Sequence, residues 1–202
     1  TFDRLPLRAN VVQIPVNLTN TSAGFYAKGV ADFKAKHTPR KAAAGLIIGG
    51  PNDFATMRTA DMERQLQLFF EATAGCERWV TTSRRTPLEV DALLETMPFD
   101  YRLIYRKDQF NPIPAFVMLC ETLFVTADST GMISEAVTSG NAAVEILMNL
   151  ENRDSKFGRL IDDLAAINAV HIFDGKTGKA NHKIDLKPAI REVANLLRLT
   201  VQ

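Results

Sequence analysis

From Ala43 onward the chain repeats one rhythm: a short apolar run, a turn of small and polar residues, then an amphipathic stretch at helical spacing. Leu46, Ile47 and Ile48 close a strand over 43–48, and Met62, Leu66, Phe69 and Phe70 mark a helix over 59–74. A strand over 78–82, a helix over 87–97, a strand over 101–105 and a helix over 114–120 follow. The series continues with a strand over 122–126, a helix over 130–139, a strand over 142–147, a helix over 156–166 and a short strand over 169–173. Pro188 opens a last helix with Ile190, Val193, Ala194 and Leu197 in one apolar stripe. Two boundaries carry sharper signals. Thr86, Pro87 and Glu89 read as the N-cap, N1 and N3 residues of a capping box, and Gly140 as a C′ residue.

Repeated βα units of this length predict an α/β fold, a doubly wound Rossmann-like parallel sheet in the strand order 3-2-1-4-5-6. The residues before His37 break the pattern. A strand over Val11–Val16 and a helix over Ser22–Lys36 are expected there. We read residues 1–40 as the remnant of a preceding domain or an interdomain segment, and 41–202 as the Rossmann-like domain. The start, Thr1-Phe-Asp-Arg-Leu5, carries neither an initiator Met nor a signal-peptide pattern and reads as the later part of a longer protein.

Composition narrows the function classes. With 202 residues, 46% of them hydrophobic, the chain can bury one large core or two small ones. A net charge of +1 leaves no electrostatic footprint for bulk nucleic-acid or membrane binding. No apolar run approaches the roughly 18 residues of a membrane helix, and a cytoplasmic location is expected. Cys76 and Cys120 lack metal-ligand spacing and read as reduced thiols. His37, His171 and His182 show no metal spacing with Cys, Asp or Glu, so no metal is expected. A Gly-x-Ser-x-Gly elbow, a Cys/His dyad pattern and the Gly-x-Gly-x-x-Gly fingerprint are all missing. Lys176–His182 reads as an exposed polar turn, with a phosphate loop as the alternative.

The remaining candidates cluster. In a doubly wound sheet, ligands bind outside the carboxyl ends of the strands where strand order reverses. The first strand empties into Gly49-Gly50-Pro51 and the fourth into Ala127-Asp128-Ser129. Glycine lets backbone N–H groups approach an anion, and a helix start adds partial positive charge. Ser129 is placed as a cap, with the Thr130 and Gly131 amides free beyond it. Ser83, Arg84 and Arg85 form a basic loop suited to clamping phosphate. Glu135, roughly 9 Å along the helix from Ser129 at about 1.5 Å per residue, could accept from two ribose hydroxyls. One cleft lined by Gly49, Gly50, Arg84, Ser129 and Glu135 is therefore expected, suited to a nucleoside diphosphate. Structural alternatives stand beside each reading: a tight turn at Gly49-Gly50, a solvated arginine pair, a plain cap at Ser129, a solvated Glu135. Asp128 either orders its turn or takes part in catalysis, and no catalytic residue is assigned.

The segments Ile47–Pro51, Thr81–Pro87, Asn111-Pro112 and Val125–Ala136 together resemble a family of bacterial glycosyltransferase-like proteins. That family is related to the plant mitochondrial-fission factor whose loss elongates mitochondria, and its members are also described as nucleoside-diphosphate-sugar epimerases. The resemblance spans about Ala43 to Gly140. Asp128-Ser129-x-Gly131 with Glu135-Ala136 is similar to the donor-binding helix start of sugar-nucleotide 2-epimerases as well. The resemblance implies the C-terminal half of a GT-B-like two-domain architecture, with Ser129 and Gly131 near phosphate and Glu135 on the ribose. It departs from its relatives after Gly140, where Asn141-Ala-Ala-Val-Glu145 replaces a Lys-Pro-Val-type strand.

The expected function is thus the donor-binding part of a metal-independent, sugar-nucleotide-dependent glycosyltransferase. The nucleotide sugar would be the substrate, with no separate cofactor and a missing N-terminal domain as partner. The alternatives are a nucleoside-diphosphate-sugar epimerase, or a non-catalytic GT-B-like scaffold recruiting proteins at a membrane surface, with peripheral membrane association.

Overall fold

Strands β1 (Ala43–Ile47), β2 (Glu77–Thr81), β3 (Tyr101–Leu103), β4 (Thr122–Thr126), β5 (Ala143–Leu147) and β6 (His171–Ile172) form one sheet in the computed structural model. All pairs are parallel and the order is 3-2-1-4-5-6, as the βα alternation predicts. The structure describes residues 6, 8, 10–20 and 22–197. Five helices make the crossovers: α2 (Thr59–Ala72), α3 (Leu88–Thr96), α4 (Ile113–Leu119), α5 (Thr130–Thr138) and α6 (Lys156–Ala166). Helix α1 (Ala23–Lys34) precedes the sheet and α7 (Lys187–Leu196) follows it.

The central strand explains why both faces need cover. Side chains alternate along a strand, and every residue of β1 is buried. Ala43 and Ile47 join Trp79, Phe116, Leu123, Val125 and Ile133 in the core under α1, α4, α5 and α6. Ala44, Leu46 and Ile48 join Leu66, Phe69, Val80, Leu94 and Phe124 under α2 and α3. The chain changes face once, between β3 and β4, and that change places β1 beside β4.

Two strands are shorter than expected by more than one residue, for identifiable reasons. Tyr105 N–H donates to the Thr82 side chain at 3.0 Å instead of to a backbone carbonyl, so β3 stops at Leu103. Ala169 N–H turns back to Leu164 O at 2.9 Å to close α6, with Asn168 left-handed at φ 58°. β6 is left with two residues. Gly140 follows α5 at φ +66°, the conformation its C′ position demands. The stripe on α7 packs only in part: Ala194 is buried and Ile190 reaches the core, but Val193 and Leu197 are exposed.

The expected strand over Val11–Val16 is not a strand. Residues 11–16 make no sheet ladder among the described residues, and Pro15 has no N–H to give one. Val16 is nonetheless fully buried. The helix expected over Ser22–Lys36 is α1, capped by Ser22, whose hydroxyl accepts from Phe25 N–H at 3.4 Å. Phe33 on α1 is fully buried against Trp79, Tyr101 and Phe116, with ring centroids 4.9, 4.8 and 5.8 Å away. Residues 17–19 run along α5 on hydroxyl contacts: Asn17 Nδ2 to Thr130 Oγ1 (3.2 Å), Asn17 N–H to Ser134 Oγ (3.0 Å) and Thr19 to Thr138 (2.8 Å).

Each of two histidines meets a strand glutamate. His37 Nε2 lies 3.0 Å from Glu77 Oε2, which also accepts from Trp79 Nε1 at 2.9 Å, while Arg40 N–H donates to Oε1 at 2.7 Å. Burial alone would raise the Glu77 carboxyl, but these donors outweigh it and hold it below the usual range. His171 Nδ1 lies 2.6 Å from Glu145 Oε2, and Gly178 N–H donates to Oε1 at 2.6 Å. There burial wins, and the Glu145 carboxyl is raised.

Candidate functional site

At the carboxyl end of the sheet the loops after β1, β2, β4 and β5 are stitched to one another around Asp128. Its side chain is fully buried. Asp128 Oδ2 accepts from Gly50 N–H and from Arg85 Nη2, both at 2.9 Å, and Oδ1 accepts from Asn149 Nδ2 at 3.1 Å. Asn149 Oδ1 in turn accepts from Asp128 N–H at 3.1 Å, and Asn52 Nδ2 donates to Asp128 O at 3.2 Å. Gly49 N–H donates to Thr126 Oγ1 at 2.8 Å, and Gly49 O accepts from Ser83 Oγ and Thr86 Oγ1 at 2.9 and 2.6 Å.

This crest alters the roles expected of its residues. The Gly49 and Gly50 amides do not stand open to an outside anion: they are committed to Thr126 and to the protein's own carboxylate. The glycines are still required, because a Cβ on Gly49 would be driven into the Asp128 carboxylate, within 2.7 Å of its Cγ. A Cβ on Gly50 would be driven into the backbone of Arg85. Thr86 is not the N-cap of α3, since its hydroxyl is spent on Gly49 O. Pro87 takes that position and no side chain caps the helix. Ser129 does sit at the N-cap of α5, yet its side chain makes no capping bond.

The arginine pair divides. Arg85 is bound into the crest, with Nη1 also donating to Gly50 O at 3.2 Å. Arg84, one residue earlier, is exposed and makes no hydrogen bond or ion pair among the described residues. It borders a cleft of about 320 Å³, within the range of small-ligand sites. Ser83, Tyr105, Phe110, Asn111, Ile113 and Met132 share that cleft, which therefore joins the β2 and β3 loops to the first turn of α5. Ile133 N–H makes the first intrahelical bond of α5, to Ser129 O at 3.0 Å. The amides of Thr130, Gly131 and Met132 precede it and have no helical acceptor. Nothing lies within 4 Å of where a Gly131 Cβ would be. Apolar walls from Phe110, Ile113 and Met132 suit a planar ring, and Arg84 with the helix start suits an anion.

Glu135 does not line this cleft. It faces α1, where burial raises the Tyr26 phenol, a Ser139 hydrogen bond lowers it, and the Glu135 charge adds a smaller upward push. Among the described residues its buried Oε1 has no hydrogen-bond partner, and burial raises the Glu135 carboxyl. A raised carboxyl binds protons more readily folded than unfolded, so ionised Glu135 subtracts from stability above its ordinary pKa of 4.5 and costs nothing below it. Glu135→Gln should therefore raise stability at pH 7 and make no difference near pH 4, read from urea unfolding at both values. A Glu135→Gln chain less stable than wild type at pH 7 would contradict this placement.

Thr86, read from the sequence as a helix cap, completes the crest with Thr126, Asn52 and Asn149, which were given no site role. Asn149 had one usable signal: it follows the apolar end of β5, the strand next to the one that delivers Asp128. Among the described residues no group of three or more His, Cys, Asp or Glu is placed to hold a metal ion, and no helix is long and apolar enough to cross a membrane.

The strand order and these loops define a doubly wound Rossmann-like domain, a fold of the nucleotide-binding type. The family model described as Mitochondrial fission ELM1 matches residues 3–199, and the chain belongs to that family. Comparison with curated proteins yields no match. Among solved structures the chain is similar to the FMN-dependent cysteine decarboxylase TvaF of thioviridamide biosynthesis, at 8% identity and a TM-score of 0.45 over 67% of this chain and 91% of that one. It is also similar to the peptidyl-cysteine decarboxylase EpiD, at 13% identity and a TM-score of 0.46 over 77% of this chain and all of that one. Likenesses at this level carry nothing about chemistry.

Proposed function

We propose that the chain binds the nucleoside-diphosphate end of a sugar nucleotide and serves as the donor-binding part of a metal-independent glycosyltransferase. One observation carries this reading: Arg84, without a partner among the described residues, and Met132 in the first turn of α5 border the same cleft, at the carboxyl ends of a parallel sheet. The base would lie against Phe110, Ile113 and Met132. The diphosphate would meet Arg84 and the Thr130–Gly131 amides, which also suit the negative charge that develops on it as a leaving group. Arg85, Asp128, Gly49 and Gly50 would shape the loops and not touch the ligand. For Glu135 to reach ribose, α1 would have to move away from it.

An epimerase needs acid and base groups beside the sugar, and Asp128, the carboxylate of the crest, is locked to three donors. The internally satisfied crest favours a second reading, a non-catalytic scaffold of the same fold. Calorimetry separates the two. Arg84→Ala should weaken a nucleoside diphosphate about tenfold, roughly 1.4 kcal/mol, and leave the bare nucleoside unchanged. Equal affinity of wild type and variant for the diphosphate, or no binding by either, would transfer the reading to the scaffold.

A further inference from the structure

We propose that the cavity on the α2 side of the crest is a second ligand site, taking a small hydroxylated anion of the sugar-phosphate class. It lies between the first two turns of α2 and the carboxyl ends of β4 and β5, across the sheet from the nucleotide cleft. Its volume is about 190 Å³, against about 320 Å³ for that cleft. The space suits a triose or hexose phosphate and is too small for a nucleotide. Thr126, Leu147 and Asn149 bound it from the sheet, and Arg58, Arg64 and Gln65 from the helix.

Three features of these walls point to a ligand with both negative charge and hydroxyl groups. Arg58 stands at the start of α2, exposed, and its guanidinium makes no hydrogen bond or ion pair among the described residues. Among the described residues Arg64 pairs only with Asp61, at 3.2 Å, and both side chains are more than half exposed, so that pair gives way readily to a stronger anion. Gln65 stands beside them on α2 and borders the same space, so its amide is available to a hydroxyl. A ligand hydroxyl meets that amide and the arginines take the anion, with Asp61 available to a further hydroxyl. The same walls reach the crest from behind, since Thr126 holds Gly49 N–H and Asn149 holds Asp128.

The inference does not rest on the nucleotide reading, and one calorimetric series keeps the two apart. The full chain is titrated with glucose 6-phosphate, glycerol 3-phosphate, glucose and inorganic phosphate. Expected is binding of at least one sugar or polyol phosphate, tighter than glucose or phosphate. Arg58→Ala should weaken it tenfold or more. Gln65→Met, which keeps length and removes the acceptor, should bring the sugar phosphate down to the affinity of phosphate. Arg84→Ala should leave it unchanged, and thermal unfolding should show all three variants folded. Wild type that binds neither phosphorylated probe, phosphate that binds as tightly as both, or Arg58→Ala and Gln65→Met without effect would each overturn the proposal and leave a water-filled cavity.

Discussion

Gly49→Ala should destabilise the chain by about 3 kcal/mol or more, because the new Cβ enters space held by a buried, fully bonded carboxylate. The carboxylate cannot swing aside cheaply: Gly50 N–H, Arg85 and Asn149 hold it from three loops. Asp128→Ala removes the obstruction but also leaves those donors without their acceptor, at a cost of about 2–4 kcal/mol. The two changes share one clash, so together they should cost about 1–3 kcal/mol less than their sum. Urea unfolding of both single variants and the double variant measures the cycle. Strict additivity would mean that Gly49 and Asp128 do not meet as described.

Phe33→Ala should cost about 3–5 kcal/mol, the range for deleting a fully buried aromatic ring. Its partners come from three separate elements, Trp79 on β2, Tyr101 on β3 and Phe116 on α4, so no single side chain can collapse into the gap. The same unfolding assay reads the loss. A loss below about 1 kcal/mol, the level of a solvated residue, would make α1 a dispensable attachment instead of a wall of the core.

Much of the sheet was legible because its strands are apolar runs cut off by Gly, Pro or Asp. β4 is matched residue for residue, β1 to within one, and the strand order follows once each βα unit crosses in the usual hand. What the loops do to one another was not legible. Arg84 and Arg85 are the same residue type side by side, and only the fold decides that the second reaches Asp128, 43 positions away. The glycine amides looked available because the carboxylate that occupies one of them lies 78 positions on. Glu135 looked solvated or ligand-facing because nothing local marks Tyr26 as its neighbour. The described residues ahead of the first strand lack the βα rhythm, so nothing in their pattern announced that residues 17–19 run along α5 or that Val16 and Phe33 enter the core.

The aromatic cluster at α1 also gives the chain a built-in optical reporter. Trp79 is the only tryptophan, fully buried, with Phe33 and His37 on one side and its indole N–H fixed to Glu77. Its emission therefore reads the seating of α1 on the sheet. Lifting that helix wets the indole and shifts the emission to the red, while ligand entry at the far carboxyl edge leaves it dark to the event. Engagement of the helix by another molecule could thus be followed with no label attached.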